Sequence, residues 1–304
     1  MPDAAFEKDG SLPDTQFSFV PILGLSLDFE EYSCRLADGQ EFAVIRRIAN
    51  PPAWDQFLLR SDIKASGLPF ILFQVSRVSA EFELKQLSGR QEPVSPAVAV
   101  SIVDLLHVKT GSFGATPVLC NRSLVDIARY PTNSLVFAPC RGDALLHEPL
   151  GQAPIELADI EWALARLPAT IKLTKEQKFR ISLDALTTFH HSRYLEPRLL
   201  TLWSGIESVF GVDAEIAFRL SLLSATYLEG RGKEGYELFK DVKANYNSRS
   251  RVAHGSRVED IEKAIGFAHT LLRRLLIRVL ESGALPVESS ILFPDEKAEQ
   301  AGRQ

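Results

Sequence analysis

The spacing of apolar residues changes part-way along this chain. In the first half they come in short runs. Residues 42–48 and 68–78 concentrate β-branched and aromatic side chains, the composition of strands, and residues 81–87 and 134–138 are further candidates. Pro93, Pro96, Pro117, Pro131 and Pro139 interrupt the region at short intervals, which suits a sheet with irregular connections. Residues 97–108 form so short and apolar a run that period does not choose between a buried strand and a helix. Leu157, Ile160, Leu164 and Leu167 then recur at helical spacing and predict a linking helix that Pro168 ends.

From Lys175 the pattern is helical almost throughout. A first helix carries Phe179, Leu183, Leu186 and Phe189 on one face. A second begins near Glu196–Pro197, with proline in a tolerated first turn, and runs through Leu199, Trp203, Ile206 and Phe210 to Gly211. Asp213 is the expected cap of a third, which carries Ile216, Leu220, Leu223 and Tyr227. After a loop over residues 229–235, a fourth carries Leu238, Phe239, Val242 and Tyr246 and ends at Gly255. Ser256 with Glu259 reads as a capping box for a fifth, whose buried face runs from Ile261 to Val279 before Gly283. These elements predict an α+β protein. A mixed N-terminal domain over 1–172 precedes an all-helical bundle over 173–286 and a polar tail over 287–304.

Composition narrows the class. At 45% hydrophobic and 24% charged, 304 residues can bury a core in each of two domains. No apolar run is long enough to span a bilayer, and the acidic, polar start is unlike a secretory signal, so neither a membrane nor an export role is expected. Cys34, Cys120 and Cys140 have neither metal-knuckle nor disulfide-framework spacing. They read as small core residues in a reducing cytoplasm. The net charge of −5 is unevenly spread. Residues 1–172 hold 15 basic against 21 acidic side chains, whereas residues 173–286 hold 17 against 14. Only the helical part is basic, a weak pointer to an anionic partner.

Two charged residues occupy apolar-face positions. Glu207 lies four residues after Trp203, and Arg249 three after Tyr246. A lone buried charge is costly, so the two are expected to pair inside the bundle, where breaking the pair would cost about 3–5 kcal/mol. His254 follows Arg249 by five residues, about 140° around an ideal helix. Ser250, four residues before His254, shares its face and could orient the imidazole. A histidine at a helix C-terminus is suited to proton transfer near neutral pH. His190 and His191 read as a helix terminus with no ligands at metal spacing. Residues 111–114 are too short for a phosphate loop, and no Walker or Rossmann pattern occurs.

The string Tyr246-Asn-Ser-Arg249-Ser250-Arg-Val-Ala-His254-Gly255 resembles the signature of the Apea-like branch of the HEPN superfamily, an arginine followed at four to six residues by histidine. Leu202-Trp-Ser-Gly-Ile-Glu207-Ser-Val-Phe-Gly211 resembles the second-helix motif of the same branch, and the spacing of the two segments fits. The resemblance covers about a third of the chain. It implies an RNA-directed domain, in active members a metal-independent endoribonuclease of defence or toxin-like systems that dimerises around paired motifs. By that likeness His254 would be the general acid or base, with Ser250 and Glu207 completing the catalytic set. Arg249 or Arg251 would steady the charged phosphorane, and Arg251, Tyr246 and Asn247 would meet RNA. No cofactor is implied. Ser250 is a departure, since Asn, Asp or His often follows the motif arginine. The alternative is a non-catalytic module that dimerises or binds a partner, with the N-terminal domain sensing a small molecule or a protein.

Overall fold

A computed structural model describes residues 17–50, 55, 57, 77–89, 93–125, 127–140 and 153–293. The chain divides into two compact units, residues 1–99 with 115–145, and residues 100–114 with 146–304. The first is built on an antiparallel sheet and the second is helical, so the protein is α+β.

Among the described residues the sheet has six strands. They are β1 (Phe19–Leu23), β2 (Glu31–Arg35), β3 (Glu41–Arg47), β4 (Val78–Leu84), β5 (Val118–Cys120) and β6 (Phe137–Pro139), in the order β2-β3-β4-β1-β5-β6. The expected strand at 42–48 is β3. That at 81–87 is shifted to β4, and that at 134–138 is confined to β6, whose Pro139 lies on an edge strand where a missing N–H is tolerated. Most of 68–78 lies outside the described residues. Alternation along β1, β3 and β4 buries Val20, Ile22, Ala43, Ile45, Ala80, Phe82 and Leu84 on one face. A second cluster gathers Leu23, Phe57, Val78, Cys120, Leu124 and Leu135.

Strand β1, which contains Pro21, is not among the expected strands. Leu23 exchanges both backbone hydrogen bonds with Ala115, and Phe19 pairs with Cys120. Strand alternation then turns Pro21 to that same side, between the two pairings, so the absent N–H falls where the β1–β5 ladder is thinnest.

Residues 97–108, left open above, are helical. Helix α1 (Pro96–Thr110) begins on proline and is closed by Gly111 at φ +80°, whose N–H bonds to the His107 carbonyl. Ile102, Val103, Leu105, Leu106 and Val108 are all buried, and so broad an apolar surface shows no period. Gly111 is thus a helix stop rather than part of a ligand loop.

The helical unit continues with α2 (Leu157–Leu173), α3 (Gln177–Thr188), α4 (Leu195–Phe210), α5 (Ile216–Glu229), α6 (Lys233–Ala253), α7 (Ile261–Ser282) and the short α8 (Glu288–Leu292). Four expected boundaries move. Pro168 does not end α2, which carries it internally. Asp213 does not cap α5, since Glu215 stands at the cap with φ +48° and Asp213 pairs with Arg219. Glu229 closes α5 and Gly235 already lies within α6, which leaves only residues 230–232 as the loop. A Cβ at Gly235 would lie 2.3 Å from the Gly230 carbonyl oxygen, so this tight corner needs glycine. Asp260, not Ser256, caps α7 through the Lys263 N–H. The C-terminal stops at Gly211 and Gly283 are as expected, both left-handed.

Helix α4 packs between α3 and α7 at close range. A Cβ at Gly205 would lie 2.8 Å from both Ala185 Cβ and Leu272 Cδ2, and the Ser182 hydroxyl donates to the Gly205 carbonyl at 2.9 Å. The small residues of the Trp203–Glu207 segment therefore set how near the helices come, while fully buried Trp203 fills the space beside them.

Candidate functional site

The two segments singled out in the sequence meet between α4 and α6. Glu207, in the last turn of α4, receives the Arg249 guanidinium, with Nη2 3.0 Å from Oε1 and 3.4 Å from Oε2. Trp203, one turn earlier on α4, stands edge-on to the Tyr246 ring at 5.1 Å, and the Arg249 guanidinium carbon lies 5.5 Å from that ring's centroid. Burial, then the Glu207 charge, push the Tyr246 hydroxyl above its ordinary range.

The pairing agrees with expectation, but its depth does not. Side-chain exposure is 28% for Arg249 and 21% for Glu207. Both side chains are only half-buried, although Glu207 Oε1 and Arg249 Nε are themselves shielded from solvent, so the full cost of an orphaned buried charge does not apply.

The end of α6 fixes His254 by backbone bonds. The Gly255 N–H reaches the Val252 carbonyl and the Ser256 N–H reaches that of Arg251, with Gly255 at φ +74°. These two bonds make the helix stop that leaves His254 at the C-cap, exposed. No hydrogen bond links the Ser250 hydroxyl to the imidazole, so the expected orienting contact is absent from this structure. Arg251 is exposed, and its Nη2 bonds to the Arg257 carbonyl at 2.8 Å across the α6–α7 link. Asn247 is exposed one turn earlier. A shallow groove alongside, between α6 and α7, is lined by Asn245, Ser248, Arg251, Asp260 and Lys263 among others.

A second cluster lay beyond sequence reasoning. His107 on α1 and His269 on α7 bring their Nε2 atoms to 3.2 Å. Phe113, just past α1, packs on His107 at 4.3 Å, His190 at 4.5 Å and His269 at 5.9 Å. Burial, then Arg273, depress the His269 imidazole to about 4. Arg273 also donates to the Val108 and Lys109 carbonyls at 3.0 and 2.5 Å, which serves the C-terminus of α1. These residues lie 162–165 positions apart in sequence, and no local spacing announces them. Among the described residues no group of three or more His, Cys, Asp or Glu could hold a metal ion, and no helix is long and apolar enough to cross a membrane. Cys34 and Cys120 are buried, which pushes the Cys34 thiol up to about 12 and that of Cys120 well above its ordinary value. Neither is a nucleophile at neutral pH. Cys140 is half-buried.

No family model matches this chain, and neither a curated protein nor a solved structure matches it.

Proposed function

We propose that the helical unit is an RNA-directed effector of the HEPN type and cleaves RNA without a metal. The observation that carries this reading is the convergence of the two motif segments. Glu207 pairs with the Arg249 guanidinium between α4 and α6, beside the Tyr246 ring, while His254 stands exposed at the end of the same helix. In the mechanism, a phosphodiester lies across the end of α6. His254 takes the proton of the attacking 2′-hydroxyl or returns one to the leaving oxygen. Arg249 or Arg251 then stabilises the charge that builds on the phosphorane. Glu207 is a positioning residue, since it acts through Arg249. Arg249 and His254 lie about 140° apart on an ideal helix. One α6 therefore does not offer both to a single phosphate with ease, and the reading includes a homodimer that brings a second copy of the motif to the cleft.

The test is purified protein on total RNA with EDTA present. Cleavage should survive chelation and vanish in His254→Ala, with stability in urea changed by less than about 0.5 kcal/mol because the ring is exposed. Full activity of His254→Ala, or its unfolding, would remove the histidine from the mechanism. Light scattering at micromolar concentration should give a dimer mass.

A second reading is a non-catalytic module that dimerises or docks a partner. Two observations favour it: no hydrogen bond from Ser250 steadies the His254 ring, and the Arg249 guanidinium is engaged by Glu207. Retained dimerisation with no RNA cleavage would select it.

A further inference from the structure

The N-terminal half of α6 carries a surface that the Glu207–Arg249 cluster does not use. Tyr236 is 61% exposed, and Phe218, from α5, is 49% exposed. Half-buried Phe239 stands between them, edge-on to Phe218 at 5.8 Å and within 11° of parallel to Tyr236 at 6.5 Å. Sequence reading took Phe239 for core and gave Tyr236 no role. Two lysines ride on these rings, Lys240 Nζ at 5.0 Å from the Tyr236 centroid and Lys243 Nζ at 5.9 Å from that of Phe239.

Charge is sorted around the same helix. At about 100° per residue, Lys233, Lys240, Lys243 and Arg251 fall within a sector of about 80°. Glu234, Glu237 and Asp241 occupy the adjoining sector, and the Lys240–Glu237 pair, at 2.6 Å, marks the boundary. Tyr236 and His254 are separated by five full turns, so they point the same way about 27 Å apart along the axis.

We propose that the Phe218–Tyr236–Phe239 ridge is a stacking platform for unpaired nucleobases, with Lys240 and Lys243 meeting the adjoining phosphates, and that it leads a single-stranded RNA along α6 to His254. This rests on the RNA-directed reading above and adds a binding site remote from the Arg249–His254 motif. Exposed rings interleaved with cations match the way proteins hold single strands, where bases stack and the backbone is neutralised. A protein partner fits less well, because the centres of protein interfaces are depleted of lysine, and here a lysine covers each of two rings. A duplex fits less well because its base faces are hidden in the stack. The lysine ammonium groups are exposed at the surface, so they can swing from ring to phosphate.

The test measures fluorescence anisotropy of a labelled, unstructured oligoribonucleotide, single-stranded or annealed to its complement, with the full chain. His254→Ala is the background, so that the probe stays intact. Single strand should bind more tightly than duplex. Tyr236→Ala should weaken binding about ten-fold, within the range that one stacked base contributes, and Tyr236→Trp should restore it. Lys243→Gln should lower the salt dependence by roughly 0.7 in log–log slope, one phosphate's share on a single strand. Circular dichroism checks that each variant is folded. If Tyr236→Ala binds as tightly as its parent while His254→Ala still abolishes cleavage, the platform is wrong and the RNA reading stands. If the wild-type chain binds no RNA, both fall. Equal affinity for duplex overturns the platform. So does a Tyr236→Ala variant that turns a dimer into a monomer at unchanged RNA affinity, since the ridge is then a protein interface.

Discussion

Each unit of this protein sets one glutamate on an element rich in apolar side chains, and the two are accommodated in opposite ways. In the sheet unit Glu81 is wholly buried in β4 and accepts hydrogen bonds from the Ser123 hydroxyl and, at 2.8 Å, the Leu124 N–H. Its two donors come from the loop that follows β5. In the helical unit Glu207 keeps about a fifth of its side chain exposed and takes a charged partner, Arg249. Glu81 ties down a loop and is closed to ligands. Glu207 holds a guanidinium where an incoming anion could compete for it. The depth of each carboxylate therefore separates a structural role from a site that can act on something outside the chain.

Replacing the buried residue should have the largest effect. Glu81→Ala orphans two donors at once and should cost about 3–4 kcal/mol in urea denaturation. Glu81→Gln should cost much less, because an amide oxygen still accepts from Leu124 and the Ser123 hydroxyl can turn to accept. Equal loss in the two variants would mean that charge, not hydrogen bonding, is what Glu81 supplies.

Acid should then affect the two units in opposite directions. Burial raises the Glu81 carboxyl above its ordinary range, so the folded state holds that proton more tightly. Its contribution is present at low pH and lost as pH rises through the folded value. His269 runs the other way, from an ordinary 6.5 down to about 4. Its contribution is present above pH 6.5 and is lost as pH falls towards 4, a swing of about 3 kcal/mol for the helical unit. Peptide-resolved hydrogen exchange at pH 7 and pH 4.5 should therefore show α1 and α7 loosening in acid while β4 and the 121–125 loop hold. Loosening of both units together would contradict the contrast. His269→Phe should flatten the acid response of α7.

A smaller stability effect belongs to the half-buried pair. Glu207→Ala should cost about 1 kcal/mol, the scale of a half-exposed ion pair. Under the proposed function it should nevertheless reduce RNA cleavage by more than that loss accounts for, because Arg249 is left unpositioned. A stability loss of 3 kcal/mol or more would show the pair to be buried in solution.

Local rules account for what the sequence determined by itself. Helical period located the amphipathic helices of the bundle, glycine marked the stops at Gly211, Gly255 and Gly283, and polar residues at apolar positions foretold that Glu207 and Arg249 meet. These signals lie within a few residues of one another, or oblige a costly group to find a partner. The tertiary structure decided what pattern leaves open. Helix α1 was ambiguous because it is apolar nearly all round, and β1, whose Pro21 is acceptable only where its ladder is thin, was not among the expected strands. Pro168 sits inside α2 although local geometry argues for a stop there. The depth of Glu207–Arg249, the missing Ser250–His254 bond, the His107–His269 contact and the exposure of Tyr236 each depend on which distant residues arrive alongside. Solvent access is a property of the packed neighbours, so the chain's own periodicity cannot specify it.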